Sequence, residues 1–221
     1  MSKLFPSYEL KNSSNVCIVT AYTPDWKELG DLTSNTKKKY CDKLGYGLKI
    51  HTEGFDSTRQ PSWSKILFIK NALKEYEYVF WIDANAIITN RNMRIEKFIS
   101  LGGDIFICNE NPEMIFDTGV FLIRSCDWSF GLLDEMWNVP GWNGFDLAEQ
   151  TAFNQLVYNN TIGNRMVYYP MRTFNSLYMS LVRTELEWQP GDFIAHRKSV
   201  SSRDVIQGLT ECLQKSGIVG I

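Results

Sequence analysis

Residues 78–90 read Tyr-Val-Phe-Trp-Ile-Asp-Ala-Asn-Ala-Ile-Ile-Thr-Asn, and the rest of the chain is organised around them. An unbroken apolar and aromatic run from Tyr78 to Ile82 is typical of a strand that is buried on both faces, in a sheet covered by helices. Asp83 follows where this strand leaves the core, at its carboxyl end. Because open α/β sheets bind ligands in the crevice beyond such ends, the stretch predicts a ligand site at Asp83.

Two interpretations of the step Asp83-Ala84-Asn85 are open at this point. Side-chain oxygens two residues apart in a turn suit a divalent cation that carries a phosphate. Under that interpretation these three residues contact a nucleotide cofactor, and Asp83 and Asn85 are metal ligands. The alternative is an Asx turn, in which both side chains bond to the neighbouring backbone. The stretch alone does not separate the two.

Length and composition bound the class of protein. The chain has 221 residues without an evident linker or repeat, which predicts one domain over residues 1–221 with a loose lead-in at 1–14. The net charge of −2, without a long basic run, argues against a nucleic-acid partner. There is no signal pattern, and no run reaches the ~18 apolar residues of a membrane span. We therefore expect a cytoplasmic protein, and the five cysteines, which lack Cys-x-x-Cys spacing, to be reduced.

A buried strand is also predicted at Val16–Ala21, followed by a turn at residues 23–25. Nucleotide-binding α/β folds place the base and ribose beyond their first strand, so Thr20, Ala21 and Tyr22 are candidates for contacting the nucleotide. A plain edge of the core is an equally good interpretation of these residues.

Two helices follow in the first half of the chain. The helix at Asp31–Leu44 carries Lys37, Lys38 and Lys39, which we interpret as a solvated face because three successive side chains cannot point one way. The next helix opens at Pro61, with Ser62 as its predicted N-cap. Lys65 in its first turn opposes the helix dipole, so it is a candidate for binding an anion. A lysine that snorkels along the surface is the alternative.

Strands alternate with helices in the first half of the chain. This order predicts an α/β fold with a mostly parallel central sheet flanked by helices. Further strands are expected at 104–108, 120–124 and 166–169, and further helices are expected from 146 and at 203–215. Asp117-Thr118-Gly119 is placed in a turn before the strand at 120–124.

With these segments in place, the chain resembles glycosyltransferase family 34, the galactosyl-, mannosyl- and xylosyltransferases of the fungal and plant Golgi. The segments that carry the resemblance are, in chain order, Pro61-Ser62-Trp63-Ser64-Lys65, Trp81-Ile82-Asp83-Ala84-Asn85, Asp117–Arg124 with Trp128 after it, Glu149-Gln150, and Gly191-Asp192-Phe193-Ile194-Ala195-His196. Each is weak alone, but five in the right order, over roughly residues 15 to 200, are specific.

The resemblance implies a GT-A fold, with a Rossmann-like nucleotide-binding half and an acceptor half. It implies a retaining glycosyltransferase that uses Mn²⁺ (or Mg²⁺) and a nucleotide sugar, a UDP-sugar, with a glycan or glycoprotein acceptor. Three departures stand out. Asn85 replaces the second acid of the family's Asp-x-Asp pair, and Asp117 replaces an asparagine. The Golgi members also have a membrane anchor, and its absence here predicts a soluble enzyme of bacterial or viral origin.

The resemblance also implies roles for individual residues. His196 becomes the third metal ligand beside Asp83 and Asn85. Lys65, together with Arg197 or Lys198, is expected to contact the departing phosphates. The remaining candidates belong to the sugar end of the site: Gln150 and Glu149 beside the anomeric centre, and Asp117 as a sugar contact or nucleophile.

Two other functions were weighed against this one. A catalytically weak nucleotide-sugar-binding protein would explain Asn85 as a sign of lost metal affinity. A nucleotidyltransferase would normally require a phosphate-binding loop rich in Gly and Lys or Arg after the first strand. The residues at that position, Thr20-Ala21-Tyr22-Thr23, do not form such a loop.

Overall fold

A computed structural model of the chain describes residues 15–109, 116–141, 148–178, 185–198 and 201–218. The predicted lead-in at 1–14 and the predicted helix start at Asp146 lie outside these residues. Within them, no helix is both long enough and apolar enough to cross a membrane.

Strands and helices alternate along the described chain. The strands are β1 (Val16–Ala21), β2 (Gly47–His51), β3 (Tyr78–Ile82), β4 (Ala86–Ile88), β5 (Ile105–Asn109), β6 (Phe116–Arg124), β7 (Met166–Pro170), β8 (Ser176–Leu177) and β9 (Ile194–His196). The helices are α1 (Lys27–Leu44), α2 (Ser64–Ala72), α3 (Glu96–Ile99), α4 (Asp127–Asn138), α5 (Ala148–Tyr158) and α6 (Ser202–Lys215). The predicted strands and helices in the described residues are therefore found, with shifted ends.

The main sheet has six strands in the order β2-β1-β3-β6-β5-β7. Strand β1 pairs in parallel with β2 and with β3, and β5 pairs in parallel with β7. Strand β6 is antiparallel to both of its neighbours. The predicted α/β fold with a mostly parallel sheet is confirmed, and β6 is its one reversed strand within the described residues.

Strand β3 lies in the middle of this sheet, and all five of its residues are buried. Its side chains alternate between two core clusters. Val79 and Trp81 pack with residues of α2, α4 and α5 on one face. Phe80 and Ile82 pack with residues of α1 and α3 on the other face. Helices on both faces explain why the run is apolar throughout instead of alternating with polar residues.

A smaller second sheet, β4-β9-β8, follows the point where β3 ends. Strands β4 and β9 are antiparallel, with Ala86 opposite His196. Strand β8 was not among the predicted strands. This sheet brings His196, which is distant in the sequence, back to the turn after β3.

The structure corrects four local predictions. Helix α1 begins at Lys27, not at Asp31. Ser62 does not cap a helix, because it lies inside a 3-10 turn, Pro61–Trp63, that leads into α2. Asp117-Thr118-Gly119 is part of β6 and not a turn before it. The fourth correction concerns Lys37, which is fully buried, whereas Lys38 is exposed as expected.

Candidate active site

The candidate site lies at the carboxyl end of β3. The reversed direction of β6 brings the beginning of that strand to the same place, with Ile82 opposite Val120. One residue further on, the backbone N–H of Asp83 donates to the carbonyl oxygen of Gly119 at 2.8 Å. The segment Asp117-Thr118-Gly119 therefore lies directly beside Asp83, although 34 positions separate Asp83 from Asp117 in the chain.

One of the two carboxylate oxygens of Asp83, Oδ1, is held by neighbouring side chains. Its Oδ1 atom accepts a hydrogen bond from Trp81 Nε1 at 2.6 Å and lies 3.3 Å from Lys65 Nζ. Its Oδ2 atom points over Gly119. Asp83 makes no Asx turn among the described residues, so one carboxylate oxygen is left facing the site.

The missing side chain of Gly119 makes room for three functional groups. A Cβ atom at this position would lie 2.5 Å from His196 Cε1, and 2.9 Å from both Asp117 Oδ1 and Asp83 Oδ2. Real Cβ atoms do not approach other atoms this closely, so a larger residue would displace at least one of the three. The structure thus brings Asp83, Asp117 and His196 together around a glycine.

Asp117 is fully buried and surrounded by donors. Its Oδ1 atom accepts from the backbone N–H of Gly119 at 2.8 Å. Its Oδ2 atom lies 3.1 Å from His196 Nδ1 and 3.2 Å from Lys198 Nζ, and it accepts from Asn175 Nδ2 at 3.2 Å. Burial alone would raise the pKa of Asp117, but the charges of His196 and Lys198 outweigh it and hold the pKa well below its usual range.

Lys65 joins two carboxylates beneath the site. Its Nζ atom lies 2.8 Å from Glu149 Oε1, in addition to its contact with Asp83. Only 5% of the Lys65 side chain is exposed, so the interpretation as a snorkelling surface lysine is wrong. Burial would lower the pKa of Lys65, but Asp83 and Glu149 outweigh it and raise the pKa above its ordinary value. Burial would likewise raise the pKa of Glu149, and Lys65 lowers it instead.

Helix α5 carries the other sugar-end candidate to the start of β6. The Oε1 atom of Gln150 accepts from the backbone N–H of Thr118 at 3.2 Å. One turn further along α5, Asn154 accepts from the N–H of Phe116 and donates to its carbonyl oxygen, at 2.8 and 2.9 Å. Asn154 thereby fixes α5 against β6, and Gln150 and Glu149 are held beside the carboxyl end of β3.

Some candidates are adjacent to this group without joining it. Ala21 lies at the same edge of the sheet because β1 and β3 are parallel neighbours. Thr20 is buried, and its hydroxyl has no hydrogen-bond partner in the part of the chain that the structure describes. The ring of Tyr22 packs on Gly30, and its hydroxyl donates to Asp31 at 2.7 Å. The side chain of Tyr22 is thus directed onto α1.

The structure separates Arg197 from Lys198. Lys198 reaches Asp117, as described above. The Arg197 guanidinium donates to the carbonyl oxygen of Tyr178 at 3.1 Å, and its side chain packs on Gly208 of α6. Neighbouring residues of an extended segment point to opposite sides, so only one of the pair can enter the site. Of the two, Lys198 is the phosphate-contact candidate that the structure brings to the site.

The residues after β3 fit a divalent cation in part. Asn85 Oδ1 is buried and has no hydrogen-bond partner among the described residues, which is costly unless a ligand satisfies it. Asp83 Oδ2 and the edge of the His196 ring face the space over Gly119. Within the described residues, however, no three His, Cys, Asp or Glu side chains are already arranged as a metal cage. A cation would therefore be bound by one carboxylate, one imidazole and the Asn85 amide, together with ligands from outside the chain.

Two functional contacts were missed in the sequence. Lys37 Nζ donates to the carbonyl oxygens of Asp83 and Ala86 from inside the core, and Asn175 holds Asp117. The helical spacing of Lys37 with the buried residues Thr33 and Tyr40 is a signal that could have revealed the first. Asn175 has no comparable signal, because it lies in an irregular segment.

The architecture around this site is the GT-A fold of glycosyltransferases. A crystal structure of a glycosyltransferase involved in glycosylation of the major capsid of PBCV-1 matches with a TM-score of 0.72 at 18% identity, over 89% of this chain and 98% of that one. The galactosyltransferase LgtC, solved in complex with donor and acceptor sugar analogues, matches with a TM-score of 0.55 at 12% identity, over 93% and 97%. At such identities the likeness shows the fold alone, and the predicted GT-A fold is confirmed.

The sequence places the chain within one family of that fold. The profile of the galactosyl transferase GMA12/MNN10 family, glycosyltransferase family 34, matches residues 12–103 and 100–203, so the chain belongs to this family. An uncharacterised α-1,2-galactosyltransferase of Schizosaccharomyces pombe is 26% identical over 201 residues, covering 72% of this chain and 58% of that protein. A probable glycosyltransferase of Oryza sativa is 23% identical over 167 residues, covering 69% and 37%. The chain therefore spans well under two thirds of these relatives.

Proposed function

We propose that this chain is a retaining, divalent-metal-dependent glycosyltransferase that moves a sugar from a UDP-sugar to a glycan or glycoprotein acceptor. The observation that carries the proposal is the convergence of Asp83, Asp117 and His196 over Gly119, at the sheet edge where α/β folds bind nucleotides. The relatives support the reaction class, since they include a xyloglucan 6-xylosyltransferase of Arabidopsis thaliana, 26% identical over 44% of this chain. A Drosophila β1,4-galactosyltransferase 7 of similar fold, with a TM-score of 0.51, was solved with manganese, UDP-Gal and xylobiose.

The proposed site supplies positive charge to the diphosphate of the donor. Asp83, His196 and the orphaned Asn85 oxygen would hold Mn²⁺ or Mg²⁺, which acts as a Lewis acid toward the charge that develops on the leaving diphosphate. Imidazole combined with carboxylate favours Mn²⁺ over Mg²⁺. Lys198 adds a cation at the same edge, 3.2 Å from Asp117. Lys65 is already engaged by two carboxylates, so it acts on the diphosphate by its charge and by positioning Asp83.

The carboxylates at the sugar end of the site are engaged in ion pairs, although Glu149 Oε2 has no hydrogen-bond partner among the described residues. Asp117 Oδ2 is contacted by three donor groups and its Oδ1 by a fourth, and Glu149 Oε1 is paired with Lys65. Carboxylates held in this way are poor nucleophiles because attack would break their ion pairs. The Gln150 amide oxygen keeps a second lone pair that can stabilise positive charge on the sugar. This supports front-face retention, in which the sugar–phosphate bond breaks, the acceptor oxygen bonds on the same face, and the leaving phosphate takes the acceptor proton.

Donor hydrolysis and transfer test the proposal directly. The purified protein is assayed against a panel of UDP- and GDP-sugars, with Mn²⁺ and with chelator, and the product anomer is read by NMR. We expect one nucleoside diphosphate to be released in a metal-dependent way, and we expect Asp83→Asn to abolish its release. The matched control is Asp134→Asn on the exposed face of α4, which should leave the rate unchanged. Turnover that survives both chelation and Asp83→Asn would rule out the metal assignment.

Asn85 favours one other function, a nucleotide-sugar-binding protein with little turnover. The chain has an amide where the family pattern has an acid, which lowers the negative charge available to a cation. That function predicts nucleotide binding that does not change with Mn²⁺, together with no donor consumption across the panel. Calorimetric titration of UDP with and without Mn²⁺ distinguishes the two.

A further inference from the structure

His196 is fixed in the fold by its backbone and by its neighbours. Strand β9 pairs it with Ala86, three residues after Asp83. The ring is 99% buried, with Cε1 facing Gly119. Its Nδ1 atom lies 3.1 Å from Asp117 Oδ2, but this contact does not have the geometry of a hydrogen bond, and Nδ1 has no hydrogen-bond partner in the described chain. The Asp117 carboxylate is thus the group best placed to take the Nδ1 proton in a hydrogen bond.

The acceptor atom on Asp117 is itself held in place. Strand β6 fixes the backbone of this residue, and the Gly119 N–H anchors Oδ1. Oδ2 is fixed from two further sides, by the Asn175 amide and by Lys198. A carboxylate restrained by these three groups cannot turn away from the imidazole ring, so it imposes one orientation on that ring.

A carboxylate beside one ring nitrogen decides which nitrogen carries the proton. A proton on Nδ1 is favoured when it faces Asp117, and Nε2 is then left with its lone pair. Histidines that bind metals commonly use this arrangement, because the carboxylate orients the ring and raises the basicity of the other nitrogen. The geometry of His196 and Asp117 has the required elements.

We propose that Asp117 is a positioning residue, which orients His196 and fixes its tautomer so that Nε2 is the metal-binding atom. This deepens the proposed function and rests on it, since it assumes that His196 is a ligand. It also gives Asp117 a role other than that of a nucleophile. Compared with the family pattern, the chain has lost an acid at Asn85 and gained one at Asp117. The carboxylate gained at Asp117 strengthens the imidazole of His196 as a ligand, whereas the carboxylate lost at position 85 would have bound the cation directly.

The tautomer of the His196 imidazole can be determined in the absence of metal and without an activity assay. The chain has only two histidines, so nitrogen-15 NMR of the imidazoles, with His51→Gln for assignment, isolates His196. Spectra are recorded at about pH 9, where imidazole is ordinarily neutral. We expect His196 to carry its proton on Nδ1 in the natural protein. In Asp117→Asn, the population should shift toward Nε2–H, and Mn²⁺ affinity, measured with UDP present, should fall about 10- to 100-fold.

Asp104→Asn is the matched control. Asp104 is also a buried aspartate in an ion pair, 2.6 Å from Arg165, but it precedes β5, at the opposite end of that strand from the site. We expect this substitution to leave the His196 tautomer and the Mn²⁺ affinity unchanged.

The outcomes separate this inference from the function on which it rests. A natural protein with His196 protonated on Nε2 overturns the positioning role, even if Asp117→Asn fails to fold. An unchanged tautomer and an unchanged Mn²⁺ affinity in Asp117→Asn overturn it as well. Protonation on Nδ1 without any Mn²⁺ binding would support the contact with Asp117 and overturn the proposed metal site.

Discussion

The ammonium nitrogen of Lys37 lies 2.9 Å from the carbonyl oxygen of Ala86. It also donates to the carbonyl oxygen of Asp83 at 3.2 Å. Both carbonyls belong to the turn that carries Ala84 and Asn85, so Lys37 closes this turn from inside the core. Burial lowers the pKa of Lys37 to about 7, although Asp83 acts in the opposite direction. A side chain in the middle of α1 thus stabilises the segment that presents the proposed metal ligands.

Replacing Lys37 should destabilise the protein and loosen this turn. At pH 10, close to the ordinary pKa of lysine, deprotonating Lys37 on folding costs little, so Lys37→Met chiefly removes two hydrogen bonds. We expect the free energy of unfolding to fall by about 1–3 kcal/mol, measured by urea denaturation. Lys38→Met is the matched control, because this neighbour is exposed and pairs with Asp42 at 2.6 Å on the same helix. Equal effects of the two substitutions would contradict the role assigned to Lys37.

The contribution of Lys37 to stability should depend on pH with a defined sign. Its pKa is near 7 when folded and 10.5 in its ordinary state, so the unfolded chain binds more protons between these values. Stability therefore rises with pH across this window, by up to ~1.4 kcal/mol per pH unit. The difference in unfolding free energy between the natural protein and Lys37→Met should move in favour of the natural protein from pH 7 to 10. A constant difference would show that Lys37 has a normal pKa.

Removing Lys65 should be far more damaging than removing a surface lysine. Lys65→Met leaves buried Glu149 and the partly buried Asp83 without their shared cation, which should cost about 3–5 kcal/mol of unfolding free energy. Adding Glu149→Gln should recover part of this loss, since it removes one uncompensated charge. The control is Lys70→Met, which breaks an exposed pair with Asp134 on the same side of the sheet. That exposed pair should contribute ~0–1 kcal/mol to the free energy of unfolding. If Lys65→Met lowers the free energy of unfolding by no more than this, the ion pairs of Lys65 contribute little to stability.

Restoring the second acid should tighten metal binding. Asn85→Asp places a carboxylate where a buried amide oxygen now has no partner. We expect Mn²⁺ affinity to rise about tenfold, equivalent to ~1.4 kcal/mol, and to fall in Asn85→Ala. Mn²⁺ titration in the presence of UDP measures both. Asn71→Asp adds the same charge on the exposed face of α2 and should change nothing. If Asn85→Asp binds Mn²⁺ no better, residue 85 is not a ligand.

Gly119 should tolerate no side chain. In Gly119→Ala the new methyl group would lie 2.5 Å from His196 Cε1 and 2.9 Å from Asp83 Oδ2, so one of these groups must move. We expect a loss of at least tenfold in metal-dependent donor turnover, and a lower Mn²⁺ affinity. Gly131→Ala in α4 is the control, since no atom lies within 4 Å of its new methyl group. That substitution should raise stability slightly, because alanine is the better helix former. Normal turnover in Gly119→Ala would show that His196 and Asp83 need not keep their present positions.

Much of the fold could be predicted from local patterns in the sequence. The apolar run of β3 and the helices near 31–44 and after Pro61 depend on residues close together in the chain, so local patterns are enough to predict them. The same local logic placed Asp83 at a strand end. The order of five short motifs then identified the family, which the profile match confirms.

Contacts within the site required the tertiary structure. The sequence did not show that β6 is reversed, yet this reversal brings Gly119 to Asp83. It also did not show which lysine of three faces the core, or whether Arg197 or Lys198 enters the site. These features depend on strand order and on the packing face of each helix, which are set by distant residues competing to bury apolar surface. The sequence alone therefore determined the family and the list of candidate site residues, whereas the tertiary structure decided which of them lie together and how Lys37, Lys65 and Asp117 contact them.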